Sequence, residues 1–203
     1  GCGRACHRHT GSLAGKETYE KHDPSKKKHM KSNIDTRGNF ALITGSSRGL
    51  GLEIARELAR RNFNLLLVAL KGEGLHELSA GLSAAYGVKI CYREADLSEP
   101  KAVFEVASWA MEKGSVRVLV NNAGTGGTRS FETATAGYID NIIQLNIRAT
   151  SLLTRLLLPA LKQSGEAFIL NVSSMASFSP VAYKTVYPAS KAFIWSFSRG
   201  LHE

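Results

Sequence analysis

Phe40-Ala41-Leu42-Ile43-Thr44-Gly45-Ser46-Ser47-Arg48-Gly49-Leu50-Gly51 runs from a short apolar stretch into a turn carrying three glycines. Leu52-Glu53-Ile54-Ala55-Arg56-Glu57-Leu58 follows, with apolar residues at helical spacing. The order predicts a buried strand, a tight turn and an amphipathic helix. Glycine permits the turn and lets backbone N–H groups come close to an anion. The helix N-terminus adds partial positive charge, which suits a pyrophosphate. Such a turn is weak evidence alone and gains weight from its place between strand and helix.

The same alternation continues outward. Leu65-Leu66-Leu67-Val68 predicts a second strand, followed by a helix with Leu75, Leu78, Leu82 and Tyr86 on one face. Val88-Lys89-Ile90-Cys91 predicts a third strand, and Ser98, as a cap before Glu99 and Pro100, the start of the next helix. Val116, Val118, Leu119 and Val120 make a fourth strand. A long helix is expected over about residues 137–161, a fifth strand at Phe168-Ile169-Leu170-Asn171-Val172, and a last helix from near Tyr187. Nearly continuous apolar strands alternating with helices imply an α/β fold, a parallel sheet covered on both faces. Right-handed crossovers make it doubly wound. No internal repeat is evident.

Composition narrows the class. The chain has 203 residues, 43% hydrophobic and 21% charged, which is ordinary for a globular domain. With 19 Gly, 5 Pro and 3 Cys, collagen-like and disulfide-scaffold readings drop out. Arg155 and Lys162 interrupt the most apolar stretch, so no membrane partner is expected. The net charge of +9 is uneven: residues 1–40 hold 9 Lys/Arg against 4 Asp/Glu, more than half of the excess. Residues 1–38 therefore read as a basic disordered tail, and residues 39–203 as the folded domain. The first methionine is Met30, so residues 1–29 read as an upstream extension or a cloning remnant. Cys2, Cys6, His7 and His9 are soft ligands, but structural zinc sites pair two separated clusters and here there is one; no metal is expected. The run Lys26–Lys31 lacks interleaved aromatics, so no nucleic acid is expected either. Cys91 reads as a small buried hydrophobe. Three scattered cysteines fit a reducing compartment, here the cytoplasm.

Further motifs carry a resemblance. The spacing T-G-x-x-x-G-x-G at Thr44–Gly51 is similar to the short-chain dehydrogenase/reductase family. Asn121-Asn122-Ala123-Gly124 resembles its N-N-A-G at the end of the fourth strand, and Asn146 falls mid-helix where the family has its catalytic asparagine. Asn171-Val172-Ser173-Ser174 ends the fifth strand, and Tyr187-Pro188-Ala189-Ser190-Lys191 matches Y-x-x-x-K, with Ser174 thirteen residues before Tyr187. The resemblance covers residues 39–203. Tyr187 and Lys191, at i and i+4, share a helix face. A free phenol titrates near ~10, and a neighbouring ammonium favours the phenolate, which suits general acid/base work.

The resemblance implies a Rossmann-type sheet and hydride transfer between a nicotinamide dinucleotide and a ketone or secondary alcohol. In it Tyr187 is the acid/base, Lys191 its partner and a ligand of the nicotinamide ribose. Ser174 polarises the carbonyl and Asn146 supports a relay water. Gly45, Ser47, Arg48, Gly49, Leu50 and Gly51 form the phosphate turn, Asp96 with Leu97 meets the adenine, and Asn122, Ala123 and Gly124 join the cofactor set. An NAD site wants a carboxylate about 20 residues past the turn. Here that place reads Val68-Ala69-Leu70-Lys71, and Arg48 with Lys71 is expected to hold a 2′-phosphate. NADP is therefore expected over NAD, with Glu73 the acid that a shifted loop would bring to the ribose.

Met175, Phe178, Val181 and Tyr183 are candidates for an apolar substrate wall, and Arg129 and Lys184 for an anionic tail; packing and solvation are the competing readings. Family members continue past the Y-x-x-x-K helix, so the last two strands and a lid are expected to be absent from this chain. The rival function is a non-catalytic dinucleotide-binding sensor or scaffold. The helices near 137–161 and 187–201 are expected to pair into a homodimer or homotetramer.

Overall fold

Apolar runs without polar alternation cannot leave a face in water, and in the fold both faces of each central strand are covered. The structure, a computed structural model, describes residues 38–179 and 182–201. The chain divides into two units, Gly1–Ile34 and Asp35–Glu203; the tail, its cysteine–histidine cluster and Val181 lie outside the described residues. The strands are β1 (Phe40–Thr44), β2 (Asn64–Ala69), β3 (Ile90–Glu94), β4 (Val116–Asn121) and β5 (Phe168–Asn171). The helices are α1 (Gly49–Arg60), α2 (Leu75–Tyr86), α3 (Ala102–Lys113), α4 (Ala136–Ile142), α5 (Thr150–Gln163) and α6 (Val186–Gly200).

All strands run parallel in the order β3-β2-β1-β4-β5. The chain winds outward from β1 through β2 to β3, then crosses back to place β4 on the other side of β1. A crevice opens where the direction of winding reverses, beyond the carboxyl ends of β1 and β4. Successive residues of β1 serve opposite faces. Leu42 packs with Leu66, Val103, Leu119, Leu153 and Leu157 on one, and Ala41 and Ile43 with Ala55, Leu65, Leu67 and Leu75 on the other. Each large side chain so buried contributes about 1.5–3 kcal/mol. Small residues at Gly51, Ala55 and Ala59 form the buried stripe of α1, which lets the helix lie close to the sheet.

Four expectations are corrected. The third strand lies later than Val88–Cys91, because its ladder with β2 pairs Leu65 with Ile90 and Ala69 with Glu94; pairing, not apolarity, sets an edge strand. Ser98 does not cap α3: Asp96 Oδ1 accepts from the Ser98 N–H at 2.9 Å and hydroxyl at 2.7 Å, closing a turn, and the helix begins at Ala102. The long helix over 137–161 is three windings, α4, a π-helical segment Ile143–Ala149, and α5. Cys91 is half-buried at the margin of the core rather than within it. At the other edge, Phe168 and Leu170 of β5 are about half exposed. Among the described residues no helix is long and apolar enough to cross a membrane.

Candidate active site

The site is built on strand ends locked by side-chain hydrogen bonds. The Thr44 hydroxyl, at the end of β1, donates to the Val120 carbonyl at 3.2 Å and accepts from the N–H groups of Asn122 and Ala123, each at 3.0 Å. Asn122 reciprocates: its amide donates to the carbonyls of Thr44 at 3.0 Å and Gly45 at 2.9 Å. The Ser46 hydroxyl ties the turn to the Val68 carbonyl of β2 at 3.2 Å. Gly45 takes φ +63°, and a Cβ on Gly51 would collide with the Gly45 carbonyl and stand 2.5 Å from the Asn122 amide. Glycine at 51 is thus required by close approach, as the sequence spacing implied.

Beyond these ends lies a cavity of about 450 Å³. Its walls include Gly45, Ser47, Arg48 and Leu50 from the first turn, Val68 and Ala69 at the end of β2 with Leu70 and Glu73 beyond it, Ala95 to Leu97 after β3, and Asn122 to Thr125 after β4. Helix α1 starts there with no side-chain cap and no acid in its first turn, which leaves its N-terminal N–H groups and positive end free to meet an anion. A cradle of this shape and polarity fits a dinucleotide.

Of the expected cofactor residues, Gly45, Ser47, Arg48, Leu50, Asp96, Leu97, Asn122, Ala123 and Gly124 meet in this one cavity. Gly49, at φ +56°, and Gly51 shape the turn behind it. Lys71 is exposed and is not among the residues that line the cavity. Glu73 comes in instead. It is paired with Arg48 at 3.3 Å and accepts the Ser47 hydroxyl.

The second part of the site adjoins Gly124, where a Cβ would stand 3.2 Å from Asn146 Oδ1 and 3.3 Å from Lys191 Nζ. Lys191 is 6% exposed; its ammonium donates to the Val172 carbonyl at 2.9 Å and lies 5.9 Å from the centroid of the Tyr187 ring. Burial holds its pKa below the ordinary lysine value. Asn146, 1% exposed in the π-helical turn, donates to the Thr125 carbonyl at 2.8 Å and the Ser190 hydroxyl at 2.9 Å, and accepts from the Thr125 N–H at 2.9 Å. Ser190 in turn donates to the Tyr187 carbonyl at 2.7 Å. Ser174 ends the fifth strand's segment, its hydroxyl accepting from the Ala176 N–H at 3.2 Å. Neighbouring Ser173 donates to the Lys191 carbonyl at 2.8 Å, tying that segment to α6.

Several contributors escaped the sequence reading. Gly126 has no room for a side chain, because a Cβ there would enter the Tyr187 ring. Thr125 and Ser190 act through hydrogen bonds that no spacing announces. Asn121 and Asn171, paired across the sheet at 2.8 Å, did carry a signal: each closes an apolar strand with a polar residue. Of the candidate substrate residues, Met175 is 82% exposed and Tyr183 is exposed too, and the Phe178 ring packs edge-on to Trp195 at 5.6 Å. Arg129 pairs with Lys184 through the backbone and lays its guanidinium 4.8 Å from the Tyr138 ring centroid.

Known proteins resemble this chain in sequence and fold. The chain is 34% identical over 171 residues to the very-long-chain 3-oxoacyl-CoA reductase of Anas platyrhynchos, covering 81% of this chain and 54% of that protein. It is 31% identical to the inactive hydroxysteroid dehydrogenase-like protein 1 of Danio rerio, covering 81% and 52%. The structure matches a short-chain dehydrogenase from Sphingobium yanoikuyae in complex with NADPH, with a TM-score of 0.76 and 35% identity over 81% of this chain and 65% of that one. The chain spans about half the length of the curated relatives it matches. A family model described as short chain dehydrogenase matches residues 39–203, and the chain belongs to that family of oxidoreductases.

Proposed function

We propose that this chain carries the cofactor and proton-transfer site of an NADP-dependent oxidoreductase, acting between a ketone and a secondary alcohol. One observation carries the reading: the buried Lys191 ammonium lies beside the Tyr187 ring and adjoins the Gly124 wall of the cavity. NADPH is bound by the family neighbour from Sphingobium yanoikuyae. A nicotinamide dinucleotide, when bound, supplies or accepts the hydride. The rest falls to this chain. Gly45, Ser47, Leu50 and the start of α1 hold the phosphates; Asp96 and Leu97 flank the adenine; Asn122 to Gly124 face the nicotinamide half. Arg48 meets the 2′-phosphate.

Tyr187 gives its proton to the carbonyl oxygen, or takes one from the alcohol. The Lys191 ammonium attracts the phenolate charge that results, more strongly for being out of water. Ser174 orients the carbonyl by a hydrogen bond, and Asn146 positions Thr125 and α6 around the reacting atoms. Association of α5 and α6 with a second copy and a cytoplasmic setting complete the reading.

The test is direct. The 203-residue chain is titrated with NADPH and NADH by cofactor fluorescence, then assayed with ketones, beside Tyr187→Phe. Binding in both proteins and turnover in the wild type alone support the proposal; equal turnover in both defeats the role of Tyr187. A second reading, a dinucleotide-binding protein without turnover, draws on the likeness to the Danio rerio protein named inactive. It predicts binding and no turnover in either.

A further inference from the structure

From the last residue of β5 onward, three residues in a row grip α6. The Asn171 amide donates to the Ser198 hydroxyl at 2.9 Å. The Val172 carbonyl accepts from the Lys191 ammonium at 2.9 Å, and the Ser173 hydroxyl donates to the Lys191 carbonyl at 2.8 Å. Lys191 is therefore held at both ends, its side chain by one residue and its backbone by the next. Ser173 has a second contact, with the Ser177 hydroxyl at 2.8 Å. A carbonyl only accepts and a hydroxyl has one proton, so Ser173 gives its proton to Lys191 and Ser177 is the donor to Ser173. Ser177 belongs to the turn Met175–Phe178, which Ser174 caps, and its N–H donates to the Ser174 carbonyl at 3.0 Å. One directed chain, from Ser177 through Ser173 to the Lys191 carbonyl, thus joins the Ser174 turn to the helix of Tyr187 and Lys191.

We propose that Ser173 is a positioning residue, which sets the Ser174 hydroxyl against the Tyr187–Lys191 pair through its two hydrogen bonds. The inference rests on the functional reading above and deepens it. Ser174 and Tyr187 approach one carbonyl oxygen from different segments, the chain beyond β5 and the start of α6. A misplacement of about 1 Å between such groups can cost roughly 100-fold in rate. Strand pairing stops at Asn171, with one further backbone bond from the Val172 N–H to the Asn121 carbonyl at 3.0 Å. Past that point the hold on α6 passes to the Lys191 ammonium and the Ser173 hydroxyl. Ser173 does not line the dinucleotide cavity, and its proton is committed to α6, so it acts through its neighbours rather than on a ligand. The tie from Asn171 to Ser198 fastens the same helix about two turns farther on. It supports α6 as a body and leaves the reacting groups alone.

Reduction by NADPH of the ketone that the wild type turns over fastest is measured for Ser173→Ala, Ser173→Thr and Ser198→Ala. Dissociation constants of NADPH come from fluorescence titration, and unfolding midpoints in urea verify that each variant folds. Ser173→Ala is expected to lower kcat roughly tenfold while NADPH affinity changes by less than about twofold. Ser173→Thr keeps the hydroxyl and is expected to recover most of the rate. Ser198→Ala removes a tie of the same kind from the same helix; it should lose comparable stability and keep kcat within about twofold of the wild type. If Ser173→Ala keeps the wild-type kcat, or loses rate and NADPH affinity in step, the inference fails alone. It fails too if Ser173→Thr is no faster than Ser173→Ala, or if Ser198→Ala is as slow, because the stability of α6 would then govern the rate. A wild type that turns over no ketone defeats the functional reading, and this inference with it.

Discussion

Asn146 grips both polar groups of one residue: its amide nitrogen donates to the Thr125 carbonyl at 2.8 Å and its amide oxygen accepts from the Thr125 N–H at 2.9 Å. The pairing fastens the π-helical segment to the loop after β4, and so fixes Gly124, on which the cavity and the Tyr187–Lys191 corner both border. Asn146→Ala would leave these half-buried backbone groups without their side-chain partner. The expected loss is about 2–4 kcal/mol of stability, read from urea unfolding, with weaker dinucleotide binding. A variant as stable as the wild type would show that the clamp is not needed.

Thr44 makes a separate test of the strand ends. Thr44→Val keeps the shape of the side chain but removes the acceptor for two N–H groups and the donor to Val120. Destabilisation of about 2–4 kcal/mol is expected, whereas Thr44→Ser, which keeps the hydroxyl, should cost about 1 kcal/mol or less. Equal midpoints for the two variants would contradict the role given to the hydroxyl.

Gly126 is predicted to set the position of Tyr187. A Cβ there enters the ring, so Gly126→Ala must push the ring aside. The cavity does not include Gly126. The expected outcome is a fall in kcat of about 100-fold with dinucleotide affinity changed by no more than about threefold. Loss of binding in step with kcat would mean that the whole site, not the ring, had moved.

Lys191 gives a pH signature. Its folded pKa lies below the ordinary lysine value because burial disfavours the charged form. Above the folded value the unfolded chain binds more protons at this site than the native one, so unfolding takes up a proton. Raising the pH opposes that uptake, and stability at this site rises until about 10.4, where the unfolded lysine also titrates. Lys191→Met abolishes the dependence. The wild type should gain stability relative to Lys191→Met as the pH climbs from neutral toward that limit. Parallel unfolding midpoints across the range would show that the lysine is not desolvated.

Legibility followed the range of the interaction. The five strands and the alternation were written in apolar runs, because a strand covered on both faces must be apolar along its length. The glycine turn was legible for a like reason: positive φ at Gly45 and Gly49 and the lack of room at Gly51 each demand glycine. Helical spacing put Tyr187 and Lys191 on one face, and the resemblance to the family's Y-x-x-x-K motif singled them out. Boundaries set by partners were not legible. The start of β3 depends on its ladder with β2, and the break of the long helix into a π-helical turn accompanies an amide whose partner, Thr125, is 21 residues away.

The sequence by itself therefore determined the layered parallel sheet and the glycine turn that opens α1, because each rests on periodicity or on the demands of a single residue. Tertiary structure alone decided which charge answers Arg48. Read along the chain, Lys71 stood nearest to the end of β2 and looked like its companion. In the fold, Lys71 lies exposed and Glu73 is the residue that reaches Ser47 and Arg48. Electrostatics acts across space, and two residues apart in a loop is enough to reverse the sign of the charge that a cavity feels.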